Sequence, residues 1–157
     1  MPIILLIVLA ISAAIILLQD LKDRQVHLVV LLLFLLASGC LQYSKSLFFQ
    51  IYILESAVNT ALILLMLGGV ALYFKFLKGM DPKQTLGKGD VVVFLAFALG
   101  YGIEEFVLQF VISLVAALSL HLILKRKYTT HTSVPLAGYM TIYLAGQKFI
   151  EQFNFFS

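Results

Sequence analysis

The sequence predicts an all-α integral membrane protein, a polytopic bundle of about six transmembrane helices that forms a single domain over residues 1–157. Apolar residues make up 62% of the chain and charged residues only 12%, whereas soluble domains have about 45–50% and about 25%. The apolar residues also lie in runs that could cross a bilayer core of about 30 Å at about 1.5 Å per helical residue. Composition and run length therefore favour lipid-facing helices over a compact soluble core.

Six apolar runs are the predicted helices, and they cover residues 2–19, 27–43, 56–77, 91–102, 106–124 and 134–146. A cleaved signal peptide would have basic residues before its apolar run. The first run has none before it, so we interpret it as a retained helix. The aromatic stretch 47–54 is expected to lie along the membrane interface. The fourth run is short, so we expect that helix to begin inside the preceding loop or to be shielded by protein.

Basic residues are distributed unevenly between the two sides of the predicted bundle. Eight of the eleven lie in the loops after the first, third and fifth runs, a ninth, Lys75, lies at the end of the third run, and only Lys45 and Lys148 lie on the other side. Because cytoplasmic loops are rich in Lys and Arg, we predict that these three loops are cytoplasmic and that both termini are not. The net charge of +3 is small and dispersed, so the expected partner is the lipid bilayer and not nucleic acid.

The sequence predicts neither a cofactor nor a metal site. Its only cysteine, Cys40, cannot form an intrachain disulfide or a cysteine-rich zinc module. The three histidines do not have the spacing of metal ligands, and no HExxH motif is present.

Two aspartates lie at the predicted membrane edge, where ionisable groups are functional candidates. Asp20 is the first charge after the first run, and Asp90 is the last charge before the fourth. The predicted topology places both at cytoplasmic helix ends, so they can meet if these helices pack together. Two carboxylates in contact tend to share one proton, which supplies the acid and the base that peptide hydrolysis needs. Gly87 and Gly89 precede Asp90 and would let a backbone approach closely.

Each aspartate also has a simpler explanation. Asp90 follows a glycine at a helix start, as a capping residue does, and Asp20 is equally consistent with an interfacial stop. Asp23 would lie on the same helical face as Asp20 if the first helix continues. Spacing alone leaves the choice between Asp20 and Asp23 open. Glu55 and Asn59, four residues apart, are interpreted as a structural pair.

Three stretches, in the right order, resemble the prepilin peptidases, or type IV leader peptidases, which are GxGD aspartyl proteases. Residues 20–28 resemble the family's aspartate at a helix end, followed by basic residues and Ile-Pro-Asn. Residues 87–91, Gly-Lys-Gly-Asp-Val, match the GxGD motif, and residues 134–138, Val-Pro-Leu-Ala-Gly, are similar to the late Ile-Pro-Phe-Gly segment. Alignment on Val26 as the isoleucine puts Asp20, and not Asp23, in the catalytic place. His27, Leu28 and Val92 depart from the family pattern, and none of these departures removes an aspartate.

The resemblance implies a membrane-embedded aspartyl endopeptidase of a bacterial or archaeal cytoplasmic membrane, serving a type IV pilus or protein secretion system. Its substrate would be the helix of a prepilin or pseudopilin, cleaved at the cytoplasmic face after a short basic leader. Asp20 and Asp90 would form the catalytic dyad, with acid and base unassigned. Lys88 and Pro135 are candidate substrate or loop contacts. No counterpart of the N-terminal methyltransferase domain of larger members is present in the sequence, which resembles the short, peptidase-only form.

Two other functions fit the same residues. A non-catalytic scaffold or assembly subunit of a secretion or pilus system would use the aspartates only to cap helices. A small proton-coupled transporter would use them as a proton relay.

Overall fold

The computed structural model describes residues 2–22, 25–77, 87–128 and 135–156, and within these ranges all regular secondary structure is α-helical. The helices in chain order are α1 (Pro2–Lys22), α2 (Leu28–Lys45), α3 (Phe49–Leu77), α4 (Lys88–Gly100), α5 (Ile103–Tyr128) and α6 (Leu136–Phe156). Among them α1, α2, α3 and α5 are long and apolar enough to cross a membrane. The all-α prediction is confirmed for the described part of the chain, as is the presence of several helices suited to a membrane.

Every helix is longer than its predicted apolar run, and the difference is largest, seven or eight residues, in α3, α5 and α6. α3 begins at Phe49 and has 29 residues, or about 43 Å, so the aromatic stretch predicted to lie along the interface largely belongs to its first two turns. α6 continues to Phe156 and passes through Lys148 and Glu151, which form an i,i+3 ion pair at 3.0 Å. A charge that is paired along the same helix does not need to end it.

The shortest helix, α4, lies at the centre of the fold. It packs against α2, α3, α5 and α6, and Val93, Ala96 and Phe97 are completely buried. The hydroxyl of Ser38 in α2 donates to the carbonyl oxygen of Ala96 at 2.8 Å. The predicted shielding of this helix by protein is therefore confirmed. A helix of only 13 residues can be accommodated here because neighbouring helices, and not lipid, surround most of it.

α1 has one face buried in the protein and one face exposed. Its buried residues, Leu6, Leu9, Ala13 and Ile16, recur at helical spacing and pack toward α2 and α6. The residues on the opposite face, among them Ile4, Ile7, Ile11 and Leu18, are exposed. Exposed aliphatic side chains in this number fit a lipid environment.

Consecutive helices run in opposite directions, so the bundle has two different ends. One end holds the last turn of α1 and the first turns of α4 and α6. The other end holds the last turn of α2 and the first turn of α5. The two candidate aspartates, in the last turn of α1 and the first turn of α4, therefore lie at the same end.

Candidate active site

Asp20 lies in the last turn of α1 and is half-buried. Its Oδ2 accepts a hydrogen bond of 2.8 Å from the backbone N–H of Gly138. The chain that follows α1 is held by a second hydrogen bond, in which the backbone N–H of His27 donates to Oε1 of Gln19 at 3.0 Å. Asp20 is thus attached to the first turn of α6, the helix that begins within the Val-Pro-Leu-Ala-Gly stretch.

Asp90 is the third residue of α4 and does not occupy its N-cap. The N-cap is Gly87, with extended backbone angles and no capping side chain. The Asp90 carboxylate instead interacts with the backbone N–H of Ala137, in α6. The simpler explanation of Asp90 as the cap of its own helix therefore does not describe its contacts.

Both aspartates meet at the first turn of α6. The carbonyl of Pro135 accepts the first helical hydrogen bond, from Tyr139 at 3.4 Å, so the N–H groups of Ala137 and Gly138 have no partner within the helix. The positive end of the helix dipole also favours negative charge here. Neighbouring Cα atoms are about 3.8 Å apart and hydrogen bonds about 3 Å long. The two carboxylates, which interact with these consecutive N–H groups, therefore lie close enough for the Asp20 charge to act on Asp90.

The electrostatic surroundings of Asp90 suit acid–base chemistry near neutral pH. Asp90 lies outside the four candidate membrane spans. Burial, together with the nearby Asp20 carboxylate, raises the pKa of Asp90 to about 6, while the N–H of Ala137 acts in the opposite direction. Both protonation states of Asp90 are then accessible close to pH 7.

The two glycines of the GxGD stretch have different surroundings. A Cβ atom on Gly87 would lie 2.7 Å from Oδ2 of Asp90 and 3.3 Å from its Cγ, so a side chain at position 87 would displace the carboxylate. A Cβ atom on Gly89 would meet only Cδ1 of Leu31 at 3.9 Å, an ordinary contact. The close approach therefore involves the first glycine and not the second.

The two candidate contact residues also differ from each other. Lys88 is exposed, in the first turn of α4, whereas Pro135 is buried directly before α6. Asp23, the rival of Asp20, lies outside the described residues, as does residue 134 at the start of the Val-Pro-Leu-Ala-Gly stretch.

The N–H groups of Ala137 and Gly138 were not recognised from the sequence. The signal for them is a proline at the start of an apolar run, which marks a helix start and hence free N–H groups. A sequence motif specifies side chains, whereas these two hydrogen-bond donors are backbone groups, so no motif contains them.

The opposite end of the bundle carries a separate polar cluster. The Lys148 side chain, on a residue that is only 2% exposed, donates to Glu151 and lies 4.1 Å from the ring centroid of Tyr101. Lys45 of α2 pairs with the same Glu151. Beside them is a cavity of about 610 Å³, whose lining includes Glu55. The cavity does not contain the aspartates of the candidate site.

The sequence predicts Glu55 and Asn59 as a structural pair in α3. Asn59 is completely buried and donates to the carbonyl oxygens of Ala98 and Tyr101, at 3.2 and 2.9 Å. Its structural role is confirmed, although its partners are the end of α4 and not Glu55.

In the described ranges, no group of three or more His, Cys, Asp or Glu side chains is placed to hold a metal ion.

Comparison of this chain with protein-family models, with curated proteins and with solved structures gives no match. The functional interpretation therefore depends on the geometry of the site and on the motifs.

Proposed function

We propose that this chain is a membrane-embedded aspartyl endopeptidase that uses Asp20 and Asp90 to remove the leader of prepilin-like substrates at the cytoplasmic face. The observation that carries the proposal is that two aspartates from different helices meet at the first turn of α6. The resemblance of residues 20–28, 87–91 and 134–138 to the prepilin peptidases supports it from the sequence. Asp20, Asp90 and Gly138, one described residue from each stretch, lie close together in the fold.

The proposed reaction needs one proton shared between the two carboxyl groups. The ionised carboxylate takes a proton from water as the water oxygen bonds to the scissile carbonyl carbon, and the protonated carboxyl gives its proton to the carbonyl oxygen. In the second step the C–N bond breaks. The leaving nitrogen takes the proton that came from water, and the carbonyl re-forms as its proton returns to the other carboxylate. Because a coupled pair titrates as a unit, acid and base are not assigned to single residues.

The depth of the dyad agrees with the proposed substrate. Asp20 is near the end of the candidate span Ile3–Lys22, where an apolar helix would pass into the polar surroundings at the membrane edge. A prepilin-like substrate has its cleavage site at the same kind of junction, between a basic leader and an apolar helix. A substrate helix inserted beside the bundle would then bring its scissile bond to the depth of the two carboxylates.

A scaffold subunit is the second candidate, because the contacts of both aspartates also satisfy backbone donors of α6. In this function the carboxylates would cap a helix that belongs to another segment of the chain, at about 0.5–2 kcal/mol for each cap. An asparagine side chain can accept the same hydrogen bonds but cannot exchange a proton. Asp→Asn substitutions therefore separate the two functions.

The test is to co-express the chain with a candidate prepilin and to follow leader removal on a gel for wild type, Asp20→Asn and Asp90→Asn. Glu104→Gln, at an exposed residue in the first turn of α5, is the matched control. We expect each Asp→Asn variant to reduce cleavage by about 100-fold or more, the usual size of one acid–base contribution, and the control to cleave normally. Thermal unfolding in detergent should change little.

Normal cleavage by either Asp→Asn variant would contradict the dyad. Loss of cleavage that accompanies loss of folded protein would favour the capping function, since the chemistry would then not be what had changed.

A further inference from the structure

We infer that Gly138 is a positioning residue for the dyad, because its missing side chain lets the last turn of α1 approach the first turn of α6 closely enough to hold Asp20. The inference rests on the proposed function, since it concerns the geometry of the same two carboxylates. Gly138 would thus belong to the site although it has no side chain that could take part in the chemistry.

The space around Gly138 is smaller than a methyl group needs. A Cβ atom on this buried residue would lie 3.0 Å from Cδ1 of Leu17, 3.1 Å from Cα of Leu17 and 3.3 Å from Cβ of Asp20. All three distances are shorter than the 3.4 Å at which ordinary contact begins. The Leu17 Cα is part of the backbone, so it cannot rotate away as the end of a side chain can. An alanine at position 138 therefore requires α1 to move.

The same residue supplies the hydrogen bond that holds Asp20. The N–H of Gly138 donates to Oδ2 of Asp20 at 2.8 Å, and the neighbouring N–H of Ala137 interacts with Asp90. The first turn of α6 is thus the common reference for both carboxylates. A retreat of α1 by the missing 0.3–0.4 Å, which is 3.4 minus 3.1 or 3.0 Å, would move Asp20 while Asp90 remains in place.

The expected consequence is a loss of turnover without a loss of substrate binding. A misplacement of about 1 Å at a reacting group costs about 100-fold in rate, so a shift of a few tenths of an ångström corresponds to about three- to tenfold. The substrate helix would still find the same apolar surface, and KM should therefore stay within about twofold.

The experiment compares Gly138→Ala with Gly146→Ala, both in α6. Gly146 is exposed, and a Cβ atom there would have no neighbour within 4 Å. Purified variants are assayed for kcat and KM on a prepilin-like substrate and for thermal unfolding in detergent. We expect kcat to fall about three- to tenfold in Gly138→Ala only, with KM unchanged. Equal kcat values in the two alanine variants would overturn the inference, as would a change confined to KM.

A second pair of variants keeps the test decisive if Gly138→Ala is recovered in poor yield. Leu17→Ala removes the nearest side-chain atom, Cδ1, and leaves the backbone contact. The double variant Leu17→Ala/Gly138→Ala should therefore fold better than Gly138→Ala and still have a lower kcat than Leu17→Ala. Equal kcat in the double variant and in Leu17→Ala would overturn the inference. Absence of cleavage by the wild type would contradict the proposed function itself, a result distinct from either of these.

Discussion

Substitution of the two glycines in the GxGD stretch should have different effects on activity, with a loss at position 87 and no change at position 89. In Gly87→Ala the new Cβ atom would lie 2.7 Å from Oδ2 of Asp90, against 3.4 Å for the closest ordinary contact. The oxygen must therefore move by about 0.7 Å, the difference between these distances. With about 100-fold for a 1 Å misplacement, the expected fall in kcat is about 10- to 50-fold.

Gly89→Ala is the matched control, two residues along the same stretch. Its Cβ atom would meet only Cδ1 of Leu31, at 3.9 Å, and position 89 is the second residue of α4. Alanine is the better helix former by up to about 1 kcal/mol, so this variant should be as stable as the wild type or slightly more stable.

The assay for this pair is leader removal by purified protein, with kcat and KM measured separately and unfolding followed in detergent. Gly89→Ala is expected to retain wild-type turnover. If it loses as much activity as Gly87→Ala, then crowding of Asp90 is not the reason that a glycine is needed, and the steric reasoning is refuted.

The remaining predictions concern pH and the opposite end of the bundle. The pKa of Asp90 is raised from 3.8 to about 6, so the contribution of this carboxyl group to stability is complete below about pH 4 and is lost as the pH rises through 6. In thermal melts from pH 4 to 8, the melting temperature of Asp90→Asn should therefore decline less than that of the wild type. An identical decline in both proteins would contradict this prediction. Glu151→Gln leaves buried Lys148 without its carboxylate and should cost about 3 kcal/mol, measured by denaturant unfolding. Lys148→Met/Glu151→Gln should recover part of that loss, and additive losses would refute the pairing.

The membrane character of the chain and the number of described helices were predictable from composition and run length, because the hydrophobic requirement of a bilayer is local in sequence. Helix ends were predicted less well. α6 continues through Lys148 and Glu151 because Glu151 forms ion pairs with Lys148 and with Lys45. Lys45 lies in a different helix. A partner that is remote in sequence cannot be seen in the hydropathy of one segment.

The candidate site was also predictable only in part. The GxGD stretch indicated Asp90 as a site residue, and the alignment on Val26 favoured Asp20 over Asp23. Spacing alone did not decide between helix caps and a dyad. In the structure both carboxylates lie against a third helix, so their surroundings depend on how α1, α4 and α6 pack.

The sequence by itself determined that this is a helical membrane protein with acidic residues at helix ends, since transfer of side chains from water to lipid depends on their chemistry and order. Only the tertiary structure decided that Asp20 and Asp90 share one helix N-terminus, and that Gly87 and Gly138, the glycines beside these carboxylates, have no room for a side chain. The physical reason is that backbone donors and steric gaps between helices have no residue type of their own. They arise where segments distant in sequence approach within a few ångströms.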